Sequence, residues 1–201
     1  MDFENITRIA LTGGSASGKS SVLRRLKERP SAPDVNVLFM DETATAFFRE
    51  RPPKIAELDS SILLRQFYIL RAQLFAEDML LTNADHVKPT VLITDRGALD
   101  VFAFLDGDEI ASLGEETLTS LWSRYDHVIH LKGNYDNFLN DSETPRIETG
   151  ENALRLAAVK SLEAWSRCSS FCTVEQQESI ENKVSLVVDE IHRFIGRAIF
   201  L

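Results

Sequence analysis

Short apolar runs alternate with stretches of helical periodicity along this chain. Five runs of five or six mostly apolar residues are bounded by glycine, proline or charged residues, which is typical of buried strands. The predicted strands lie at 8–12, 35–40, 90–95, 127–131 and 170–174. Strands that are apolar on both faces and alternate with helices indicate a parallel sheet covered on both sides. The pattern therefore predicts an α/β fold, a three-layer sandwich around a five-stranded parallel sheet.

The segments between these runs carry the spacing of amphipathic helices. The predicted helices lie at 19–28, 42–51, 60–81, 115–125, 151–167 and 178–199. The helix at 60–81 is apolar on nearly every face, so we expect it to be buried between the sheet and other helices. Its polar residues Arg71, Gln73 and Glu77 then need buried partners, or one face of the helix borders a substrate cavity.

The residues that follow the first predicted strand, 13–20, read GGSASGKS and match the pattern G-x-x-x-x-G-K-[ST] at every position. Glycine permits the tight turn in which successive N–H groups and the start of the next helix face an anion. In this pattern Lys19 supplies charge to the β- and γ-phosphates, and the hydroxyl of Ser20 ligates Mg²⁺. The alternative is a glycine-rich turn that matches by chance, but its position between a buried strand and an amphipathic helix favours function.

ATP or GTP with Mg²⁺ is therefore the predicted ligand of this loop. The predicted nucleotide-binding residues are Gly13, Gly14, Ser15, Ala16, Ser17, Gly18, Lys19, Ser20 and Ser21.

Acidic residues stand at the ends of the second and third predicted strands, where ligands of an open parallel sheet bind. Asp95 is placed to hold Mg²⁺, together with Ser20, or to accept a proton. Its neighbour Arg96 would clamp a phosphate or pair with an acid. Glu42 is predicted, in preference to Asp41, as the base that takes a proton from the acceptor. For these acids the alternative is that they cap the helices that follow.

A polar stretch at 132–150, with two glycines and a proline, is the predicted lid. Arg146 would fold from it over the transferring phosphoryl group and stabilise the charge of the transition state. Arg155 is the alternative, and both arginines are equally compatible with a solvated surface. The predicted catalytic residues are Lys19, Glu42, Asp95, Arg96 and Arg146.

The length and net charge of the chain limit the classes of protein to which it can belong. A chain of 201 residues suits one domain with a full core, so we expect a single P-loop NTPase domain over 1–201. The net charge of −9 argues against a nucleic-acid partner. No apolar run reaches the roughly 18 residues of a membrane span, and the acidic N-terminus is unlike a targeting peptide. We therefore expect a cytoplasmic protein.

The cysteines and histidines indicate no further chemistry in the sequence alone. Cys168 and Cys172 lie four apart with no histidine near them in sequence, so they form no zinc pattern, and no disulfide is expected. The four histidines show no pairing typical of catalysis or metal binding.

Together these motifs resemble the NadR-like P-loop family. That family groups ribosylnicotinamide-kinase-type, AAA-like domains with related ATP/GTP-binding proteins, and its fold is similar to that of thymidylate and deoxynucleoside kinases. The resemblance covers about 8–166 and rests on RIALTGGSASGKSSVL, AQLFAEDML, VLITDRGALDVFAF, YDHVIHL and PRIE. It implies the strand order 2-3-1-4-5, an acid after strand two at Glu42, the acid of the DRG motif at Asp95 and a lid arginine at Arg146.

The chain departs from that family at Ser15-Ala16, where a proline-containing loop is common, and in a lid that holds few arginines. The adenylyltransferase and DNA-binding parts of NadR itself are not expected in this chain. Nicotinamide riboside is therefore not assumed as the acceptor.

The predicted function is a small-molecule kinase that moves the γ-phosphoryl group of ATP or GTP to a nucleoside, a nucleotide or a similar ribosylated metabolite. A nucleotide-dependent switch with slow hydrolysis is the alternative that the small number of lid arginines favours. An ATPase acting on macromolecules is a third. The acceptor, the preferred base and self-association into a homodimer are left open.

Overall fold

A five-stranded sheet in which all neighbouring strands run parallel forms the centre of the fold. The computed structural model describes residues 5–50, 61–85, 87–133 and 151–201. The strands are β1 Ile6–Thr12, β2 Asn36–Met40, β3 Thr90–Asp95, β4 His127–Leu131 and β5 Phe171–Val174. Their order across the sheet is β2-β3-β1-β4-β5. The predicted fold class and the predicted strand order are both confirmed.

The carboxyl ends of adjacent strands meet at one edge of this sheet. Leu11 of β1 pairs with Asp95 at the end of β3, and Thr12 pairs with His130 near the end of β4. Ligands of an open parallel sheet bind beyond these ends. The loop after β1 and the acids after β2 and β3 therefore border one crevice.

Helices cover both faces of the sheet. They are α1 Lys19–Lys27, α2 Thr43–Glu50, α3 Ile62–Thr82, a 3₁₀ helix Ala98–Phe104, α4 Gly107–Ala111, α5 Glu115–Trp122, α6 Glu151–Trp165 and α7 Ile180–Ile195. On one face, α1 and α7 pack against Ile9, Leu11 and Ile129. On the other face, α3, the 3₁₀ helix and α6 pack against Ala10 and Val128. Successive residues of β1 thus serve opposite layers, as the pleat of a strand requires.

Two short helices after β3 are not among the helices predicted from amphipathic spacing, although a helix start near Ala98 was expected from the capping alternative for Asp95. The 3₁₀ helix is buried at most of its positions, so it has no polar face that would reveal a helical period. Helix α4 spans only 5 residues and begins at Asp106, whose side chain accepts a hydrogen bond from the N–H of Glu109 at 2.8 Å. Amphipathic spacing detects neither kind of helix.

The long helix α3 is not buried on all sides, so the expectation of a fully buried helix is wrong. Phe75 is 67% exposed and Tyr68 is 47% exposed. The buried face carries polar residues, among them Gln66, Gln73 and Glu77. The buried face of α3 is therefore set by its contacts with neighbouring elements. The apolar pattern of the helix alone does not identify those contacts.

A buried carboxylate ties α3 to the start of β4. Glu77 is 0% exposed. It accepts hydrogen bonds from Tyr125 Oη at 2.6 Å, Arg124 Nε at 2.7 Å and Gln73 Nε2 at 2.8 Å. A buried charge is tolerated when it is paired and its lone pairs are filled. The need for buried partners is confirmed for Gln73 and Glu77 but is wrong for Arg71, which lies on an exposed face of α3.

Two expectations about the chain as a whole concern membranes and disulfides. Among the described helices, none has the length and apolar character that crossing a bilayer requires. Cys168 and Cys172 are free thiols in the structure.

Gly97 lies too close to two aromatic rings to accept a side chain. A Cβ at this position would lie 2.6 Å from Trp165 Cη2 and 2.8 Å from Tyr125 Cζ, and both rings are buried. We expect Gly97→Ala to lower the free energy of unfolding by roughly 1–3 kcal/mol, because overpacking forces the neighbouring side chains to shift. Chemical denaturation followed by circular dichroism measures this change.

Gly107→Ala is the matched control, because nothing lies within 4 Å of the Cβ that it would add. We expect its free energy of unfolding to stay within about 0.5 kcal/mol of the parent value. Equal destabilisation of the two variants would contradict the packing argument.

Candidate phosphate-binding site

The loop between β1 and α1 passes very close to the end of β4. Gly13, Ala16 and Gly18 have positive φ angles of 135°, 61° and 86°, and such turns direct backbone N–H groups toward a common point. A Cβ on Gly13 would lie only 2.3 Å from the carbonyl oxygen of Leu131. Glycine is therefore required at position 13 for the loop to sit on the strand ends.

Lys19 is buried at the first position of α1, with 5% of its surface exposed. Its Nζ donates to the carbonyl oxygens of Gly13 at 2.9 Å and Gly14 at 2.8 Å, and to Ser17 Oγ at 3.2 Å. Burial, followed by the nearby Arg96 guanidinium, lowers the pKa of Lys19 to about 8. The ammonium is thus incompletely compensated, and an anion in the loop would complete its compensation.

Ser20 and Asp95 bring a hydroxyl and a carboxylate together beside the loop. Ser20 Oγ donates to Asp95 Oδ2 at 2.5 Å, while the buried Oδ1 has no hydrogen-bond partner among the described residues. Burial raises the pKa of Asp95, against the opposing effects of Lys19 and Ser20. Oxygen donors of this kind suit Mg²⁺. The two residues predicted as metal ligands therefore fit a magnesium ion.

Asp95 does not cap the helix that follows it. The N–H of Gly97, which precedes the 3₁₀ helix, donates instead to Asp100 Oδ2 at 2.9 Å. The capping alternative therefore applies to Asp100, whereas the carboxylate of Asp95 meets Ser20.

Asp100 is a buried acid that the sequence analysis missed. Its Oδ1 accepts from Thr12 Oγ1 at 2.7 Å and from Ser161 Oγ at 3.2 Å, and lies 3.7 Å from Arg96 Nη1. The carboxylate thus joins the end of β1 to α6 beside the phosphate loop. Its signal in the sequence is a single charge inside the apolar run 98–104.

The two acids after β2 have different surroundings. Asp41 pairs with Lys27 at 2.6 Å on the surface, whereas Glu42 forms an ion pair with Arg96. Glu42 also accepts a hydrogen bond from Thr45 Oγ1 at 2.6 Å. Burial acts to raise the pKa of Glu42, but Arg96 and these hydrogen bonds outweigh burial, so the pKa lies below its ordinary value. Glu42 therefore lies inside the crevice as an ionised carboxylate, whereas Asp41 lies on the surface.

Arg96 pairs with an acid, the second of the two alternatives considered for it. Its φ of 69° is uncommon for a residue with a side chain, and its N–H donates to the carbonyl oxygen of Leu11 at 2.9 Å. Besides pairing with Glu42, the guanidinium donates from Nη1 to the carbonyl oxygen of Gly13 at 3.4 Å. Arg96 therefore connects the acid after β2 to the phosphate loop.

Lys183 of α7 is a second buried cation at the loop, and the sequence analysis did not select it. It is 4% exposed. Its Nζ donates to the carbonyl oxygens of Ser17 at 3.1 Å and Lys132 at 2.8 Å, and to Gln176 Oε1 at 2.8 Å. Burial lowers its pKa. Its signal is a lysine on the apolar face of α7, next to Val184.

Three predicted site residues remain: Ser21, Arg146 and Arg155. Ser21 is half-buried in the first turn of α1. Arg146 lies outside the described residues, as does the predicted lid except Lys132 and Gly133, so their roles stay predictions. Arg155, the alternative to Arg146, has an exposed side chain on α6.

Comparison with known proteins identifies one family and several similar folds. The family model described as an AAA domain, AAA_28, matches residues 8–183. No curated protein matches the chain. The solved structure of NadR protein in complex with NAD and AMP-PNP is similar, with a TM-score of 0.65 and 12% identity over 98% of this chain and 51% of that one. This chain thus spans about half the length of NadR.

A second similar structure is that of deoxyadenosine kinase from M. mycoides with bound dATP. Its TM-score is 0.59, and its identity is 13% over 92% of this chain and 99% of that one. At such low identities, both likenesses show a shared fold.

The lowered pKa of Lys19 predicts that the affinity of the loop for an anion depends on pH. A bound triphosphate raises the pKa of Lys19 above its free value of about 8, so binding takes up a proton where the free ammonium is partly deprotonated. We expect the affinity for ATP to be constant well below pH 8 and to fall as the pH rises through and above 8. Isothermal titration calorimetry in two buffers of different ionisation enthalpy measures both the affinity and the proton uptake.

Lys19→Arg is the control, because a guanidinium stays charged throughout this range. Whatever its affinity, this variant should show no proton uptake between pH 7 and 9. A proton uptake that persists in Lys19→Arg would assign the titration to another group.

Proposed function

The chain belongs to the AAA domain family whose model matches residues 8–183, and from this membership and the site geometry we propose that it is a nucleotide-dependent small-molecule kinase. The membership confirms the NadR-like P-loop family to which the sequence motifs pointed. NadR was solved with NAD and AMP-PNP, and the deoxyadenosine kinase was solved with dATP. These ligands support ATP as the phosphoryl donor, and GTP is the alternative.

The observation that carries the proposal is the buried ammonium of Lys19 beside the Ser20–Asp95 pair. Lys19 Nζ is held by loop oxygens within 3.2 Å, and Asp95 leaves one buried carboxylate oxygen without a partner among the described residues. A polyphosphate with its magnesium ion satisfies both requirements at once: the phosphates compensate the ammonium, and the cation takes the carboxylate oxygen.

Glu42 is proposed as the base of the transfer step. Its carboxylate is ionised, because its pKa lies below the ordinary value, and Arg96 fixes its position. The acceptor's O–H proton passes to a carboxylate oxygen, the acceptor oxygen forms a bond to the γ-phosphorus, and the bond between that phosphorus and the bridging oxygen breaks to release the nucleoside diphosphate. Asp95 is the alternative base.

Lys19 and Arg146 are proposed to stabilise the negative charge on the moving phosphoryl group. Ser20 and Asp95 are proposed to hold Mg²⁺. When bound there, the ion supplies Lewis-acid neutralisation of phosphate charge.

A nucleoside, a nucleotide or a similar ribosylated metabolite is the proposed acceptor class. The second candidate function is a nucleotide-dependent switch with slow hydrolysis. One observation supports this second candidate: the two oxygens of Glu42 are already engaged, Oε1 by Arg96 and Oε2 by Thr45. A switch requires no free base.

The two candidates differ in how the release of nucleoside diphosphate depends on the acceptor. With ATP or GTP and Mg²⁺, we expect ADP or GDP production to rise well above the acceptor-free rate for at least one nucleoside or nucleotide in a broad panel. A coupled assay measures the product. Lys19→Ala should remove both binding and turnover, since it deletes the ammonium proposed to meet the β- and γ-phosphates.

A slow release of nucleoside diphosphate at the same rate with and without every acceptor in the panel would support the switch over the kinase. Unchanged nucleotide binding by Lys19→Ala would contradict both candidate functions.

The role of Glu42 predicts a specific loss of transfer. We expect Glu42→Gln to reduce the rate of acceptor phosphorylation by about 10²–10⁴-fold, which is the usual contribution of a positioned acid or base. Nucleotide affinity should be retained, because Lys19 and the loop are unchanged. Steady-state kinetics and equilibrium nucleotide binding separate the two effects.

Asp41→Asn is the matched control, since Asp41 is the adjacent acid and pairs with Lys27 on the surface. Its transfer rate should stay close to that of the parent. Equal losses in the two variants, or full activity in Glu42→Gln, would remove Glu42 from the role of base.

A further inference from the structure

Three side chains with metal-binding atoms converge away from the phosphate loop, on the same face of the sheet but nearer the start of β4. The donor atoms of His127, Cys172 and Glu190 all lie within 4.8 Å of one another. They come from the first residue of β4, from β5 and from α7. Because they lie far apart in the sequence, no local motif indicates the cluster.

His127 is held in a fixed orientation. It is 1% exposed, and its ring stacks on that of Phe194 with centroids 4.4 Å apart and planes 9° apart. Its Nδ1 lies 2.7 Å from Ser170 Oγ. With Nδ1–H as the donor in this bond, Nε2 carries the lone pair, as it does in metal-ligating histidines of proteins.

The other nitrogen, His127 Nε2, faces a carboxylate without forming a good hydrogen bond. It lies 2.8 Å from Glu190 Oε1, yet among the described residues no partner meets it with hydrogen-bond geometry. The two atoms approach closely, but their alignment is poor for an N–H···O bond, which requires a favourable angle. A buried imidazole nitrogen that faces a carboxylate oxygen at this distance is suited to share a cation with it, either a proton or a metal ion.

We propose that His127, Cys172 and Glu190 form a binding site for a borderline-soft divalent metal ion of the Zn²⁺ class. Imidazole nitrogen, thiolate sulfur and carboxylate oxygen are the three ligand types that zinc takes in proteins. On binding, Cys172 Sγ–H loses its proton to solvent and the sulfur becomes the ligand.

The geometry requires only a small adjustment. A tetrahedral zinc ion with bonds of about 2.0–2.3 Å separates its ligand atoms by roughly 3.3–3.7 Å. Glu190 Oε1 must retreat slightly from His127, and the thiol of Cys172 must turn toward the ion. Shifts of about 1 Å at the two donor atoms are enough.

Arg193 competes with the ion for Glu190. Its Nη2 lies 2.5 Å from Oε1 and its Nε lies 2.8 Å from Oε2. The arginine is 69% exposed at its side chain, so it is free to leave Oε1 while keeping Oε2. The pair therefore weakens metal binding without preventing it.

A hollow beside the cluster leaves one coordination position open. Its volume is ≈ 330 Å³, and its lining includes Cys172, Glu190, Thr173 and Gln177. Three protein ligands with one open position is the arrangement of zinc sites that bind water or a further ligand. The four residue steps along β4 from His127 to Leu131 place this site about 13 Å from the phosphate loop, so the two sites are separate.

The test is a Co²⁺ titration of the full chain after chelation, followed by absorption spectroscopy. We expect one Co²⁺ per chain with a thiolate-to-cobalt charge-transfer band, displaced by Zn²⁺. Cys172→Ser should abolish the band, and His127→Gln should weaken Co²⁺ binding at least about tenfold, because even outer-shell changes weaken metal sites by that factor. Cobalt held by the oxygens of Ser20 and Asp95 gives no such band, so the outcome is independent of the phosphate site.

Two further variants test which cysteine binds the metal ion and whether Arg193 competes with the ion. Cys168→Ser, which removes the other free cysteine, should retain the band. Arg193→Gln changes an exposed side chain and should bind Co²⁺ more tightly than the parent. No thiolate band in the parent, a band that persists in Cys172→Ser, or unchanged or weaker binding by Arg193→Gln would overturn the proposal.

Discussion

A buried ammonium is the interaction on which the candidate site depends. Lys19 lies inside a turn of the backbone, and two carbonyl oxygens and one hydroxyl meet its three protons. Burial of a cation is unfavourable in a medium of low dielectric constant, so the fold places carboxylates around it, and Asp95, Asp100 and Glu42 all raise its pKa while Arg96 lowers it. The charges of the crevice are thus one coupled set centred on this residue.

The same coupling organises the elements that carry these groups. Asp95 ends β3, Asp100 belongs to the 3₁₀ helix and Glu42 follows β2, so each acid is delivered by a different part of the fold to one edge of the sheet. Parallel alignment of the strands makes this possible, because it brings all their carboxyl ends to that edge. Arg96 then joins the acids into a network, at the expense of a left-handed backbone angle at a residue that is not glycine.

Much of this arrangement was predictable from sequence, and the reasons for the failures are physical. Strand runs and the loop 13–20 carry local signals, because backbone turns and apolar spacing are properties of neighbouring residues. The orientation of α3 depends on contacts with distant residues: Glu77 is buried because Tyr125 and Arg124 reach it, and no local pattern contains that information. Asp100 and His127 are similar cases, since their partners lie far away in the chain.

The anchoring of Lys183 has a mechanical consequence. One ammonium on α7 holds three acceptors, which belong to the phosphate loop, to the end of β4 and to the segment after β5. These three stretches of chain therefore share one hydrogen-bond donor, and displacing any of them breaks its own bond to Lys183. A ligand that displaces Gln176 would thus change the position of the Lys183 ammonium and, through it, the hydrogen bond to Ser17. This coupling runs through one side chain and requires no movement of the sheet.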